Sequence, residues 1–118
     1  MTPEPDYRRG DVVLVLFPHS DLRTAKSRPA VIVQADGLNT GMPQVIVAMI
    51  SGRMFRAGHS SRVVITIASS MGRQSGLLGD SVVMTDNVAT ISVQAIDRVI
   101  GSIPMPQIDL ALRHTFAL

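Results

Sequence analysis

The 118-residue chain contains no cysteine and no tryptophan. Without Cys there is no disulfide, no thiolate nucleophile and no Cys-based zinc site. Aromatics are scarce as well: Tyr7, Phe17, Phe55 and Phe116 are the whole set. Phe17 and Phe116 fall where core residues are expected, so no broad platform remains for stacking unpaired bases. Apolar runs such as Val12 to Phe17 fall far short of the roughly 18 residues a spanning helix needs, and MTPEPDYRRG has no signal-like apolar region. No Gly-rich phosphate loop, helix-turn-helix or basic helix is visible, which argues against nucleotide hydrolysis and duplex DNA readout. His19, His59 and His114 lie too far apart for metal-ligand spacing. The expectation is one soluble, unprocessed cytoplasmic domain spanning 1–118, long enough to bury about two thirds of its unfolded surface.

Lysine and glutamate are nearly missing too, with one of each. The net charge of +2 therefore sets ten Arg and one Lys against eight Asp and one Glu. Guanidinium grips phosphate or carboxylate through two parallel hydrogen bonds and stays protonated at any working pH. Codon bias gives the same composition, so placement must decide between the two. Arg23, Lys26 and Arg28 fall in or just after one connection, with Asp21 the only acid there. Arg53, Arg56 and Arg62 fall in a second segment, Ser51 to Arg62, with no acid. Asp80, Asp86 and Asp97 occupy a late stretch without a base. If the two basic connections meet at one end of the fold, they form a cationic rim for a polyanion.

Fourteen Val and ten Ile against nine Leu favour strands. Strands are predicted over Asp11 to Phe17, Pro29 to Gln34, Gln44 to Ile50 and Arg62 to Ile67, with two more over Ser81 to Thr85 and Val88 to Ile91. Pro29 is read as a strand start, because proline cannot donate to a ladder. Ile108, Ala111, Leu112, Thr115 and Phe116 recur at three and four after Pro106, so the tail reads as a helix with proline in its first turn. Ser92 can cap a short helical turn. The expected fold is mainly β with α, a small antiparallel barrel with a C-terminal helix.

Several segments together resemble the MazF/PemK family of toxin endoribonucleases. They are Arg9-Gly-Asp-Val-Val-Leu-Val, Phe17-Pro-His-Ser-Asp-Leu22, Lys26-Ser-Arg-Pro-Ala-Val-Ile-Val33, Val45-Ile-Val-Ala-Met-Ile-Ser51, the late stretch Gly76 to Ile91, and Arg98-Val-Ile-Gly101. The resemblance implies an SH3-like barrel that forms a homodimer, cuts single-stranded RNA at short sequences without a metal or other cofactor, and binds a cognate antitoxin.

It also implies a set of site residues. Arg28 matches the family's catalytic arginine, and its high pKa suits charge stabilisation rather than proton transfer. An Arg paired structurally with a carboxylate at the sheet edge is the competing reading. Ser51 matches a Thr or Ser whose hydroxyl can hold the scissile phosphate. Asp86 matches an acid able to act as base in a late hairpin, although Asp86-Asn87 is equally hairpin-turn chemistry. RNA contacts are expected from His19, Arg23, Lys26, Arg53, Arg56 and Asn87, and His19 also carries the pKa best suited to proton transfer. His59 and His114 read as surface residues. Arg23 replaces a loop acid, Ala89 replaces an Arg, and Leu22 stands where some members have histidine, so the family's cleavage sequence does not transfer. The alternative is a catalytically weak relative that binds a protein target or RNA without cutting. A gyrase poison of this fold works through a C-terminal Trp, which this chain lacks.

Overall fold

The computed structural model describes residues 7–18, 23 and 25–118. Six strands form one sheet: β1 (Asp11–Pro18), β2 (Ala25–Ile32), β3 (Gln44–Ser51), β4 (Arg62–Ile65), β5 (Ser81–Ser92) and β6 (Ile96–Ser102). Their order is β4-β5-β3-β2-β1-β6, and all pairs are antiparallel. A six-residue helix, α1 (Ser70–Ser75), and an eleven-residue helix, α2 (Pro106–Phe116), complete it.

The antiparallel sheet and C-terminal helix agree with expectation, but β4 and β6 do not pair, so the barrel is left open. The helices stand across that opening: α2 packs on β4 and β5, and α1 packs on β6. Both faces of the sheet are apolar in part. Val12, Val31, Ala48, Ile50, Val63 and Val83 pack with Ile108 and Ala111 of α2 in a first core. Val13, Val15, Ala30, Ile32, Val45, Val47 and Ile96 form a second core on the opposite face. Burial on both sides explains why β1, β2 and β3 read as continuous apolar runs rather than alternating ones.

Four local expectations change. Strand β2 begins at Ala25, so Pro29 lies inside it, paired with Leu14 of β1. The ladder to β3 covers only Ala30 to Ile32, so β2 is an edge at Pro29 on that side and no N–H is missed. The two late strands and the hairpin between them are one strand, β5. Its register on β3 jumps from Ala48↔Val88 to Met49↔Met84, so Thr85, Asp86 and Asn87 form a bulge rather than a turn. The fourth strand stops at Ile65, where Ser69 caps α1 by accepting from the Gly72 N–H at 3.0 Å. Phe116 is half exposed rather than core, because it lies in the helix's final turn, beyond the sheet. Ser92 does cap a short turn, Val93–Ala95, and Pro106 does open α2.

Glycine is required where α1 ends. Gly76 is left-handed (φ 74°), and a Cβ there would overlap the Ile100 carbonyl oxygen of β6. Gly79, with open space around it, gives the control. Gly76→Ala is expected to lower stability by roughly 2 kcal/mol or more, ~8 °C in thermal midpoint, and Gly79→Ala to change it little. Equal midpoints for the two variants in thermal unfolding would contradict this packing.

Candidate nucleic-acid interface

Strand period sorts the side chains of β2, β3, β5 and β4 onto two faces. Arg28 shares its face with Ala30 and Ile32, and Ser51 shares its face with Val45, Val47 and Met49, so both look toward the second core's side. The last β2–β3 rung is Ala30↔Met49, and Arg28 and Ser51 each lie two residues beyond it on that face. Met49 faces Met84 of β5, which faces Arg62 of β4, so the same face continues to the far edge.

The two basic connections lie at one end of the sheet. Strand β1 leaves its ladder at Pro18 and β2 enters at Ala25, beside the end where β3 finishes at Ser51. The connection after β3 carries Arg53 and the 3-10 turn Met54–Arg56. Phe55 is 79% exposed there, with the Arg56 guanidinium carbon 5.7 Å from its ring centre.

The arginines differ in what they hold. Arg28 is exposed and makes no ion pair with a described residue. Arg62 is paired with a carboxylate. Its Nε and Nη2 donate to the two carboxylate oxygens of Asp86 at 3.3 and 2.8 Å, and its Nη1 donates to the Arg56 carbonyl at 2.9 Å. Hydrogen bonding from Arg62 holds the Asp86 carboxyl below its ordinary range, and it holds the Arg62 guanidinium ionised still further up. Arg56 also donates Nη1 to the Met84 sulfur at 3.7 Å. Three strand spacings, about 14 Å, separate the strands that carry Arg28 and Arg62.

Ser51 Oγ accepts from the Arg53 N–H at 3.1 Å, which fixes its rotamer and leaves its own proton to donate. Arg53 and Lys26 are exposed at the same end. Arg23 is exposed and already engaged with another group. Asn87 is exposed beside Asp86 in the β5 bulge. His19 lies outside the described residues. The fold thus places Arg28 and Ser51 on one face at one end of the β2–β3 ladder and sets Asp86 with Arg62.

Two features escape sequence reasoning. Arg62 as the partner of Asp86 has no local signal, because 24 residues separate them. His59 and His114 are exposed, as expected, but face each other with ring centres 6.2 Å apart, His59 bonded to Ser61 and His114 to Ser60. Among the described residues, no three His, Cys, Asp or Glu side chains gather as a metal site, and no helix is long and apolar enough to cross a membrane.

An open antiparallel sheet closed by a C-terminal helix, with arginines on one end of one face, defines the class. Residues 8–115 match the model of the PemK-like, MazF-like toxins of type II toxin-antitoxin systems, and the chain belongs to that family. An endoribonuclease from a mycobacterial species, solved with its cognate antitoxin, is similar at 19% identity and TM-score 0.73 over 95% of this chain and 96% of that one. The Mycobacterium tuberculosis toxin MazF-mt6 is similar at 25% identity and TM-score 0.66, covering 90% and 97%. MazF in the Deinococcus radiodurans MazE-MazF complex aligns at 14% identity and TM-score 0.71, covering 98% and 99%. No curated protein sequence matches the chain.

The Asp86 shift has a testable sign. A carboxyl lowered in the fold contributes stability that is full above its unfolded pKa of about 4 and is lost as pH falls through the folded value. Carboxyl NMR titration of Asp86 should give a midpoint below the ordinary one, and Arg62→Ala should raise it. A midpoint unmoved by that substitution would show that Arg62 is not its cause.

Proposed function

We propose that this toxin is an endoribonuclease that cuts single-stranded RNA with Arg28 and Ser51 at the scissile phosphate. What supports the reading is that Arg28, with no ion pair to a described residue, and Ser51, whose Oγ accepts the Arg53 N–H, lie on one face of the sheet at its basic end, each two residues past the last β2–β3 rung. Attack by the 2′-oxygen forms its bond to phosphorus and breaks the bond to the 5′-oxygen. The 2′-proton leaves to a base and the 5′-oxygen takes one up. The charge that collects on the phosphorane oxygens is what the Arg28 fork and the Ser51 hydroxyl offset.

Asp86 is the carboxylate of the proposal. Both its oxygens face Arg62, and that bonding weakens it as a base, so taking the 2′-proton requires Arg62 to release an oxygen. In the free protein it holds Arg62 toward Arg56. His19, carried on the β1–β2 connection, is the residue whose ordinary pKa suits the proton transfers. Lys26, Arg53, Arg56 and Asn87, with Arg23, supply further backbone and base contacts on the same reading.

The protein acts in the cytoplasm as a homodimer restrained by an antitoxin. Relatives solved with antitoxins support the partner. Val64 on the edge strand and Leu110, Phe116 and Leu118 on and after α2 are 43%, 67%, 52% and 88% exposed, which supports self-association. Sedimentation at micromolar concentration should give a dimer; a monomer overturns that part.

Purified protein should cut single-stranded RNA in EDTA. Ser51→Ala is expected to slow cutting about a hundredfold, and Arg28→Ala by at least as much. Cutting unaffected by Arg28→Ala would sink the mechanism. Failure of the parent protein to cut any RNA would favour a binding role.

A further inference from the structure

We infer that the groove under the β2–β3 connection is a nucleobase-reading subsite, which takes an unpaired base of the RNA at a distance from the phosphate being cut. The inference rests on the ribonuclease reading above and concerns what that reading leaves open, the source of sequence preference.

The groove has a volume of about 700 Å³ and is bounded by the connection 35–43, with Ile32 and Val45 of the second core beneath it. Its chemistry is the opposite of the basic end. Among the described residues no Lys or Arg lines it, and the one carboxylate among them, Asp36, already accepts the Arg9 N–H at 2.8 Å. Phosphate therefore has no counter-charge there. What lines it are amides, Gln34, Asn39 and Gln44, with the half-buried ring of Tyr7. Asn and Gln amides pair a donor with an acceptor in the spacing of a base edge, and an aromatic ring gives the base a face to stack on.

Part of this wall is fixed in advance. Gln34 Oε1 accepts the Ile46 N–H at 3.2 Å, which orients the amide and leaves its two N–H donors unspent. The Val93 N–H donates to the Pro43 carbonyl at 3.0 Å and pins the connection's far end. The groove also lies on the right face. Ile32 has the same parity as Arg28, four residues away, so about 13 Å of strand separates the groove's floor from the arginine. A single strand lying along that face reaches both within a few nucleotides.

The test pairs binding with cutting. Full-length ¹⁵N-labelled protein is titrated with each of the four ribonucleosides, which lack phosphate, and with inorganic phosphate. At least one nucleoside should shift Gln34, Asn39 and Gln44, and phosphate should leave them unmoved. Cut sites in a random single-stranded RNA pool are then compared for the parent, Gln34→Glu and Gln44→Ala. Gln34→Glu keeps the acceptor for Ile46 and loses the donors; Gln44→Ala removes an exposed side chain. Either variant should still cut but change the preference at one base position by roughly tenfold or more. Nucleosides that leave the groove unmoved, or both variants cutting with the parent's preference, overturn the inference while the ribonuclease reading stands. Groove resonances that move on dilution without ligand overturn it in favour of a second copy of the chain. If the parent cuts nothing, the ribonuclease reading falls and the nucleoside titration alone decides the groove.

Discussion

The backbone ladder joining β2, β3, β5 and β4 fixes which side chains can act together. Its two-residue period sends Val31, Ala48, Ile50 and Val83 to one face and Ala30, Val45 and Val47 to the other, and Arg28 and Ser51 follow the second set. A slip of one residue in β2 would bury Arg28 against the first core, beside α2. Packing on both faces resists that slip, because it would exchange Val31 of one core with Ala30 and Ile32 of the other and bury the Arg28 charge. The same double burial gives the strands that carry Arg28 and Ser51 a rigid support.

Within that frame, the arginines divide according to whether a carboxylate reaches them. The three-residue bulge in β5 takes Asp86 out of the ladder and lets its oxygens meet the Arg62 fork across the neighbouring strand. An exposed pair of this kind contributes little to stability. Its effect is positional: Arg62 is held where it also reaches the Arg56 carbonyl, and Arg56 leans on Met84. Among the described residues, no acid is ion-paired with Arg28. The late acidic segment is dispersed in the fold. Asp80 caps the Ile67 N–H, Asp86 binds Arg62, and Asp97 lies 3.8 Å from Arg98. Asp80 and Asp97 are thus engaged away from Arg28 and Arg53, and Asp86 is engaged with Arg62.

Much of this was legible in the residues. The β-branched runs marked β1 to β3, Pro106 and the three-four spacing marked α2, and Ser92 marked its short turn. What was lost depended on partners distant in sequence. Asp86-Asn87 carries a turn signature, and only the extra residues relative to β3 turn it into a bulge. Pro29 reads as a strand start until β3 is known to pair only from Ala30. Helix α1 has no apolar period, yet Ser69 and Gly76 bracket it as cap and stop, a signal that was available. Arg28 and Ser51 were visible as family-motif positions; their shared face required the sheet.

The two ends of the face solve different parts of recognition. Charge attracts any RNA equally, since every nucleotide carries the same phosphate, so on the proposed reading Arg28 and Arg53 place a strand without choosing it. Selection needs neutral donors and acceptors, held apart from those charges so that a phosphate does not out-compete a base for them. The connection after β2 meets that condition: three left-handed residues, Gly37, Asn39 and Gly41, fold it back, and among the described residues no Lys or Arg lines the groove beneath it. By the resemblance of the sequence to the family, Arg23 and Ala89 stand at positions of an acid and an arginine, and each replacement changes the local charge. A toxin whose basic end differs from its relatives needs its preference set elsewhere, and the amide-lined end of the same sheet face is where this chain has the chemistry to set it.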